Sequence, residues 1–253
     1  MAGTAIFRGL TWHVGTVVAL RDETATARTI TFELTDWPGH VAGQRVEVRV
    51  TAADGYSAVR SYSIASAPRA DRRLELSVER LPGGEVSPYL TQDLAIGDHV
   101  EFRGPIGGWF VWHENQAEPI QLVAGGSGIV PLIAMIRSRA AVRSVAPFRL
   151  LYSVRNPDSV WYRDELQMLS ADDIGVTFVY TRSTPLNWPR QPGRIDATLV
   201  ADASWPSTFS PTCYVCGPTS FVERAAGLMT ALGHSPDRIR TERFGPTGDQ
   251  HPH

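Results

Sequence analysis

The spacing of apolar residues changes partway along the chain, and no single-sheet fold accommodates both spacings. Up to about residue 110, the segments "HVGTVVAL", "ARTITFELT", "QRVEVRVTA", "RSYSIASAP", "RRLELSVERL" and "DHVEFRGPI" carry β-branched alternation between turns rich in Gly, Pro and Asp. Only "SPYLTQDL" reads as helix there, with Ser87 as N-cap and Pro88 at the first helical position. Six strands with so little helix predict a small antiparallel barrel. Farther on, strand and helix alternate. "PIQLVAGG", "PFRLLYSVR", "GVTFVYTR", "CYVCG" and "RIRTERFG" read as strands. "VPLIAMIRSRAA", "YRDELQML", "IDATLVADA" and "TSFVERAAGLMTALG" read as the helices between them. That order predicts a doubly wound, five-stranded parallel sheet with its ligand crevice at the carboxyl ends of the strands. The polar run from Glu114 to Glu118 marks the division, giving residues 1–115, 116–248 and a polar tail 249–253. With 253 residues the chain can hold two cores, since cores tend to split above roughly 250 residues.

The composition excludes several classes of function. A net charge of −2 supplies no basic field for nucleic acid. Two cysteines, Cys213 and Cys216, are too few for a disulfide framework, a four-cysteine zinc site or an iron–sulfur cluster. Their C-x-x-C spacing could mark a redox pair. However, "TCYVCGP" reads as a buried strand entering a turn, which sends the two thiols to opposite faces. The seven histidines are scattered, so no metal site is expected. The first residues lack a basic segment followed by an apolar run, and no stretch reaches the roughly 20 apolar residues of a membrane span. A cytoplasmic protein without membrane contact is expected.

Four short motifs carry the chemistry. "RSYSIAS", Arg60 to Ser66, places a guanidinium, a phenol and three serines on one strand, and neither face of it is apolar. "AGGSGIVPL", Ala124 to Leu132, follows a strand and opens a helix. Its glycines allow a tight turn, and the helix start offers free N–H groups to a phosphate, although such turns also serve packing alone. Pro131 stands where the ordinary dinucleotide fingerprint has a third glycine. "CGPTSFVERAAGLM" repeats the arrangement and sets Cys216, Gly217 and Pro218 at a strand end, where a buried thiol could equally fill a gap. "LPGGEVSPYL" puts Gly83 and Gly84 before a helix, either as a second phosphate cradle or as a plain turn.

In that order along the chain, "RSYSIAS", "GGEVS", "GGSGIVP" and "YVCGP" together resemble the ferredoxin–NADP⁺ reductase superfamily of flavoproteins, from about Val14 to Gly248. The resemblance implies a flavin-binding barrel followed by an NAD(P)-binding domain. It assigns the flavin phosphate to Arg60, the isoalloxazine and ribityl chain to Tyr62, and the neighbourhood of the ring's N5 to Ser63, with Ser61 on the same strand. Gly83, Gly84, Val86 and Ser87 become the pyrophosphate cradle of FAD. Gly126, Ser127, Gly128 and Pro131 become the nucleotide pyrophosphate loop, with Ser127 where threonine is usual. Cys216, followed by Gly217 and Pro218, lies beside the nicotinamide. Glu242-x-Phe244 is similar to the family's Glu-x-aromatic ending, whose ring shields the flavin. The sequence departs here, since Gly245 to His253 follow Phe244.

The implied reaction is hydride transfer from NAD(P)H to FAD, with Ser63, Cys216 and Glu242 at the reacting centre, followed by electron delivery to a separate redox protein such as a ferredoxin. A stand-alone flavin or quinone reductase, and a non-catalytic flavin-binding subunit, are the alternatives. NADPH is expected over NADH. The strand ends "YSVRNP" and "VYTRSTP" present Arg155 and Arg182 beside Ser153 and Thr181, with no carboxylate immediately after either strand. Arg190 and Arg194 lie near enough in sequence to join them, although such arginines could also cap a solvated edge or bind the pyrophosphate shared by both nucleotides.

Overall fold

The computed structural model describes residues 11–52, 55–68, 72–171 and 174–244, so the expected tail 249–253 lies outside it. The first half holds β1 (Trp12–Thr24), β2 (Ala27–Leu34), β3 (Arg45–Thr51), β4 (Ser57–Ser63) and β5 (Arg73–Glu79). After them come a short helix α1 (Val86–Pro88) and β6 (His99–Ile106). The six strands form one antiparallel sheet in the order β4-β3-β6-β1-β2-β5. A single bridge between Ile64 and Leu76 draws the two edges together, and the sheet curls into the expected barrel. Alternation explains its core. Ile30, Phe32 and Leu34 from β2, Val46 and Val48 from β3, and Val100 and Phe102 from β6 all point inward. Phe32 and Phe102 meet edge to face with centroids 4.7 Å apart.

One local expectation fails. The helix begins at Val86, with Glu85 before it, and passes at Tyr89–Asp93 into a wider π-type turn. Ser87 therefore lies inside the first turn, and its Oγ accepts the backbone N–H of Leu81 at 3.0 Å instead of capping the helix. The serine reads as a cap by composition, but the Gly83–Gly84 turn brings Leu81 N–H to it first.

The second half runs β7 (Ile120–Gly125), α2 (Ile129–Ala141), β8 (Phe148–Val154), α3 (Arg163–Ala171) and β9 (Gly175–Tyr180). It continues through α4 (Ala197–Ala203), β10 (Thr212–Pro218), α5 (Thr219–Ala231) and β11 (Ile239–Phe244). The five strands are parallel, in the order β11-β10-β7-β8-β9. Successive strand residues feed opposite cores. Leu122, Ala124, Leu150, Tyr152, Tyr214 and Cys216 pack with α2 and α3, while Val123, Leu151, Cys213 and Val215 pack with α4 and α5. Cys213 and Cys216 therefore stand on opposite faces of β10, as the strand reading expects. Among the described residues, no helix is long and apolar enough to cross a membrane.

The barrel docks on the α2 face, where Ala27, Ala42, Ala65, Phe110 and Trp112 join the second core. Strand order reverses between β7 and β10, and the turn Gly126–Gly128 after β7 packs directly beneath the end of β10. A Cβ on Gly128 would lie 2.2 Å from the Cys216 carbonyl oxygen and 2.7 Å from the Gly217 nitrogen. Both are backbone atoms that cannot turn aside. Gly128→Ala should therefore destabilise the fold by about 1–3 kcal/mol, the usual range for overpacking. Urea unfolding measures the difference, and a midpoint within error of wild type would contradict the close approach.

Candidate functional site

Strand β4 is the edge of the barrel sheet and pairs with β3 alone over Ser57–Ser63. Its outer edge offers backbone groups without ladder partners among the described residues. Alternation sends Tyr62 to the face shared with Val46, and Ser63 to the face shared with Arg45. The face of Tyr62 turns out to be the core face, since Ala58, Tyr62 and Ile64 pack on the barrel interior while Arg60 stays exposed. Tyr62 is partly buried against the barrel core, and burial pushes its phenol up to about 12, against the pull of Arg60. Ser61 is exposed beside Arg60.

Arg60 holds an anion of its own. Its Nη2 donates to Glu85 Oε2 at 3.1 Å, and the Tyr56 hydroxyl donates to Glu85 Oε1 at 3.1 Å. The Arg60 and Glu85 side chains are 48% and 50% exposed, so the pair contributes only about 0–1 kcal/mol. A guanidinium with five donors can hold this carboxylate and a phosphate together. The Gly83–Gly84 turn approaches the same place. Gly83 has φ +74° with open space where a side chain would be, and Gly84 N–H closes the turn on the Leu81 carbonyl at 3.0 Å. Val86 and Ser87 are buried behind it.

At the second half's switch point, Gly126 has φ +55° with open space beside it, and Ser127 is half-buried. Pro131 lies buried in the first turn of α2, where its missing N–H breaks no hydrogen bond. Ser153 pairs in register with Gly125 and Val179. The strand ends of β8 and β9 are tied by Thr181 N–H to the Val154 carbonyl and Arg182 N–H to the Arg155 carbonyl, both at 2.9 Å. This brings Ser153, Arg155, Thr181 and Arg182 to one rim. Arg182 is exposed, and Arg155 lies close enough to Glu79 of the barrel to oppose the upward push of burial on that carboxyl. Arg190 faces Asp202 at 3.6 Å.

The two halves meet over the end of β10. Cys216 pairs in register with Glu242, and Pro218 with Phe244. The Cys216 thiol is fully buried, and burial followed by the nearby Glu242 carboxylate raises it well above its ordinary value, so it is a neutral thiol. Phe244 is half-buried against the core of the second half. Glu242 reaches across to the barrel, where its Oε1 lies 3.7 Å from Arg45 Nη1. Arg45 in turn stands opposite Ser63 in the β3–β4 register. One line, Ser63–Arg45–Glu242–Cys216, thus joins the flavin-type strand to the nucleotide-type strand. Arg45 carries no motif, and its partner is far away in sequence, so only the folded chain reveals it.

Ser63 Oγ and Glu242 Oε2 are buried and have no hydrogen-bond partner among the described residues. Buried polar atoms without partners are uncommon, and two at one crevice suit a ligand that brings its own donors and acceptors. Among the described residues, no group of three or more His, Cys, Asp or Glu could hold a metal ion.

Comparison with known proteins agrees with this geometry. Residues 16–111 match the oxidoreductase FAD-binding domain family, and residues 122–226 match the oxidoreductase NAD-binding domain family. The reductase subunit of an aromatic O-demethylase from Amycolatopsis is 30% identical over 234 residues, covering 91% of this chain and 69% of that protein. The chain belongs to the ferredoxin–NADP⁺ reductase superfamily. It is an NAD(P)H-dependent FAD oxidoreductase. A ferredoxin–NAD(P)⁺ reductase component of naphthalene dioxygenase and salicylate hydroxylase systems from Ralstonia is 28% identical, over 92% of this chain and 69% of that one. Among solved structures, the FAD/NAD-binding domain of a Vibrio cholerae nitric oxide dioxygenase superposes with a TM-score of 0.82 at 23% identity, covering 92% of this chain and 99% of that domain. An Amycolatopsis cytochrome P450 reductase does so with a TM-score of 0.81 at 28% identity, covering 94% and 71%.

Glu242 has a measurable signature. Burial pushes its carboxyl up to about 7 from an ordinary 4.5, and Arg45 only partly offsets this. The folded state therefore keeps a proton that the unfolded state has already lost between those two values. Stability from the neutral acid is complete below about pH 4.5 and lost as pH rises through about 7. Glu242→Gln should gain about 1–3 kcal/mol more relative to wild type at pH 8 than at pH 5. Urea melts at both values decide it: a difference from wild type that is the same at pH 5 and pH 8 would mean that Arg45 holds the carboxylate charged.

Proposed function

We propose that this flavoprotein takes a hydride from NADPH, in preference to NADH, and passes electrons from its FAD to a separate redox protein such as a ferredoxin. The observation that carries the reading is the Ser63–Arg45–Glu242–Cys216 line, which supports a flavin on the edge of β4 and a nicotinamide at the end of β10 facing one another. Bound FAD supplies the chemistry that accepts a hydride and releases electrons one at a time. The chain supplies binding and orientation. In this reading Arg60 and the Gly83, Gly84, Val86 and Ser87 turn hold the flavin's phosphates, while Tyr62 packs against the ring. The Ser63 hydroxyl, unpartnered in its pocket, turns to the flavin's polar edge near N5.

On the nucleotide side, Gly126, Ser127, Gly128 and Pro131 hold the pyrophosphate against the start of α2. Cys216, a neutral thiol followed by the Gly217–Pro218 turn, walls the nicotinamide without acting as a nucleophile. Glu242 is available as a proton-bearing acid near neutral pH, where charge changes on the ring are felt. Phe244, opposite Pro218, borders the same crevice. Thr181 and Arg182, with Ser153 and Arg155 on the adjoining strand end, grip the ribose 2′-phosphate of NADPH. Two free thiols buried in the cores suit the cytoplasm.

Steady-state and acceptor kinetics test the reading together. NADPH should give the lower KM, and reduced protein should pass electrons to an added ferredoxin faster than to oxygen or a quinone. Arg182→Ala should weaken NADPH by about 1.5–3 kcal/mol, the loss of a charged hydrogen bond, and leave NADH nearly unchanged. A lower KM for NADH, or equal losses for both nucleotides, would overturn the preference. Indifference to ferredoxin would favour the stand-alone reductase.

A further inference from the structure

The front of the crevice is closed loosely, by Arg45 and Glu242 at 3.7 Å. Its back is closed tightly, by a residue that the flavin and nucleotide motifs do not include. Arg137 lies on α2, the helix that starts at the nucleotide loop, eight residues after Ile129 and so about 12 Å along the axis. Its Nε and Nη2 donate to the two oxygens of Glu165 on α3, both at 2.7 Å. That fork stays within the nucleotide half. Its Nη1 crosses to the barrel, donating at 2.9 Å to Glu75 Oε2 on β5 and at 2.9 Å to the Ala65 carbonyl. Ala65 is the second residue after Ser63, and its N–H is bonded to the Glu75 carbonyl at 2.8 Å.

The guanidinium also sits over the Tyr162 ring, 5.1 Å from its centroid. Tyr162 makes the same crossing again. Its hydroxyl donates to Ser77 Oγ on β5 at 2.5 Å, and its N–H donates to Glu23 Oε2 on β1 at 2.9 Å. A cleft of about 430 Å³ flanked by Ser66, Ala67, Glu75, Arg137, Ala140 and Ala141 opens beside these contacts, so on that side polar bonds hold the halves together. Gly128 is wedged under Cys216, so the helix that carries Arg137 starts in direct contact with the end of β10.

We propose that Arg137 is a positioning residue for hydride transfer: by donating from one guanidinium to Glu165, Glu75 and the Ala65 carbonyl, it fixes the separation of the flavin strand from the nucleotide loop. The proposal rests on the reductase reading above.

Glu75→Gln and Arg137→Met, both loaded with FAD, test it. Glu75→Gln removes charge from the barrel end only and leaves the Arg137–Glu165 fork intact, so it separates docking from folding of the nucleotide half. In anaerobic single-turnover mixing with NADPH, both variants should reduce their flavin about 10- to 100-fold more slowly, the penalty of small misplacement. Flavin reduced with dithionite should still pass electrons to ferricyanide at the wild-type rate. A second reading does not depend on turnover. NADP⁺ added to dithionite-reduced wild type should give the long-wavelength absorbance of stacked nicotinamide and flavin, and both variants should lose most of it. Variants that melt earlier but keep the wild-type absorbance and reduction rate would overturn the proposal and leave Arg137 as structural only. A wild type that neither nucleotide reduces, yet which gives the long-wavelength absorbance with NADP⁺, would overturn the reductase reading instead, and the same absorbance in both variants would then overturn the role of Arg137; a wild type that shows neither reduction nor absorbance would overturn both.

Discussion

Everything at the crevice depends on the reversal of strand order between β7 and β10. The helix after β7 packs on one face of the sheet and the helix after β10 on the other. The carboxyl ends of these two strands are therefore left uncovered by their own helices, as a pair that faces the barrel. The pair is closely joined, since Gly128 has no room for a Cβ beneath Cys216. The close packing fixes the turn that begins α2 relative to the strand end that carries Cys216 and, through pairing, Glu242. The barrel then needs only to present its edge strand to this fixed corner.

Two electrostatic features distinguish the crevice from ordinary packing. Around Arg60 the charges are exposed and weakly paired, so the cation stands ready for an anion with little to displace. Around Glu242 the opposite holds: burial outweighs Arg45 and pushes the carboxyl up to about 7. A buried acid with one unpartnered oxygen, beside a buried unpartnered serine hydroxyl, is unfavourable in an empty crevice and favourable once a ligand supplies partners. Exposed charge on the phosphate side and desolvated groups on the ring side match the two ends of a flavin nucleotide.

Much of this was legible in the sequence because it is local. The change of apolar spacing gave both sheets, and the alternation of Cys213 and Cys216 on β10 followed from strand period alone. Glycine turns beside strand ends marked Gly83, Gly84, Gly126 and Gly128. An error arises where a nearby group competes: Ser87 looks like a helix cap, but Leu81 N–H takes its oxygen. Arg45 and the barrel contact of Arg137 were not legible, because their partners Glu242 and Glu75 are set by how two sheets dock. No periodicity or motif in one half encodes the other half's surface.

The central claim is that the edge of β4 and the end of β10 hold flavin and nicotinamide in direct contact. Anaerobic stopped-flow reduction of the FAD-loaded protein by NADPH, and by NADPH deuterated at the transferring position, tests it most directly. Direct transfer predicts loss of the flavin's visible absorbance within the enzyme's turnover time, slowed severalfold by deuterium. Flavin that stays oxidised, or that bleaches at the same rate with either isotope, would contradict the account.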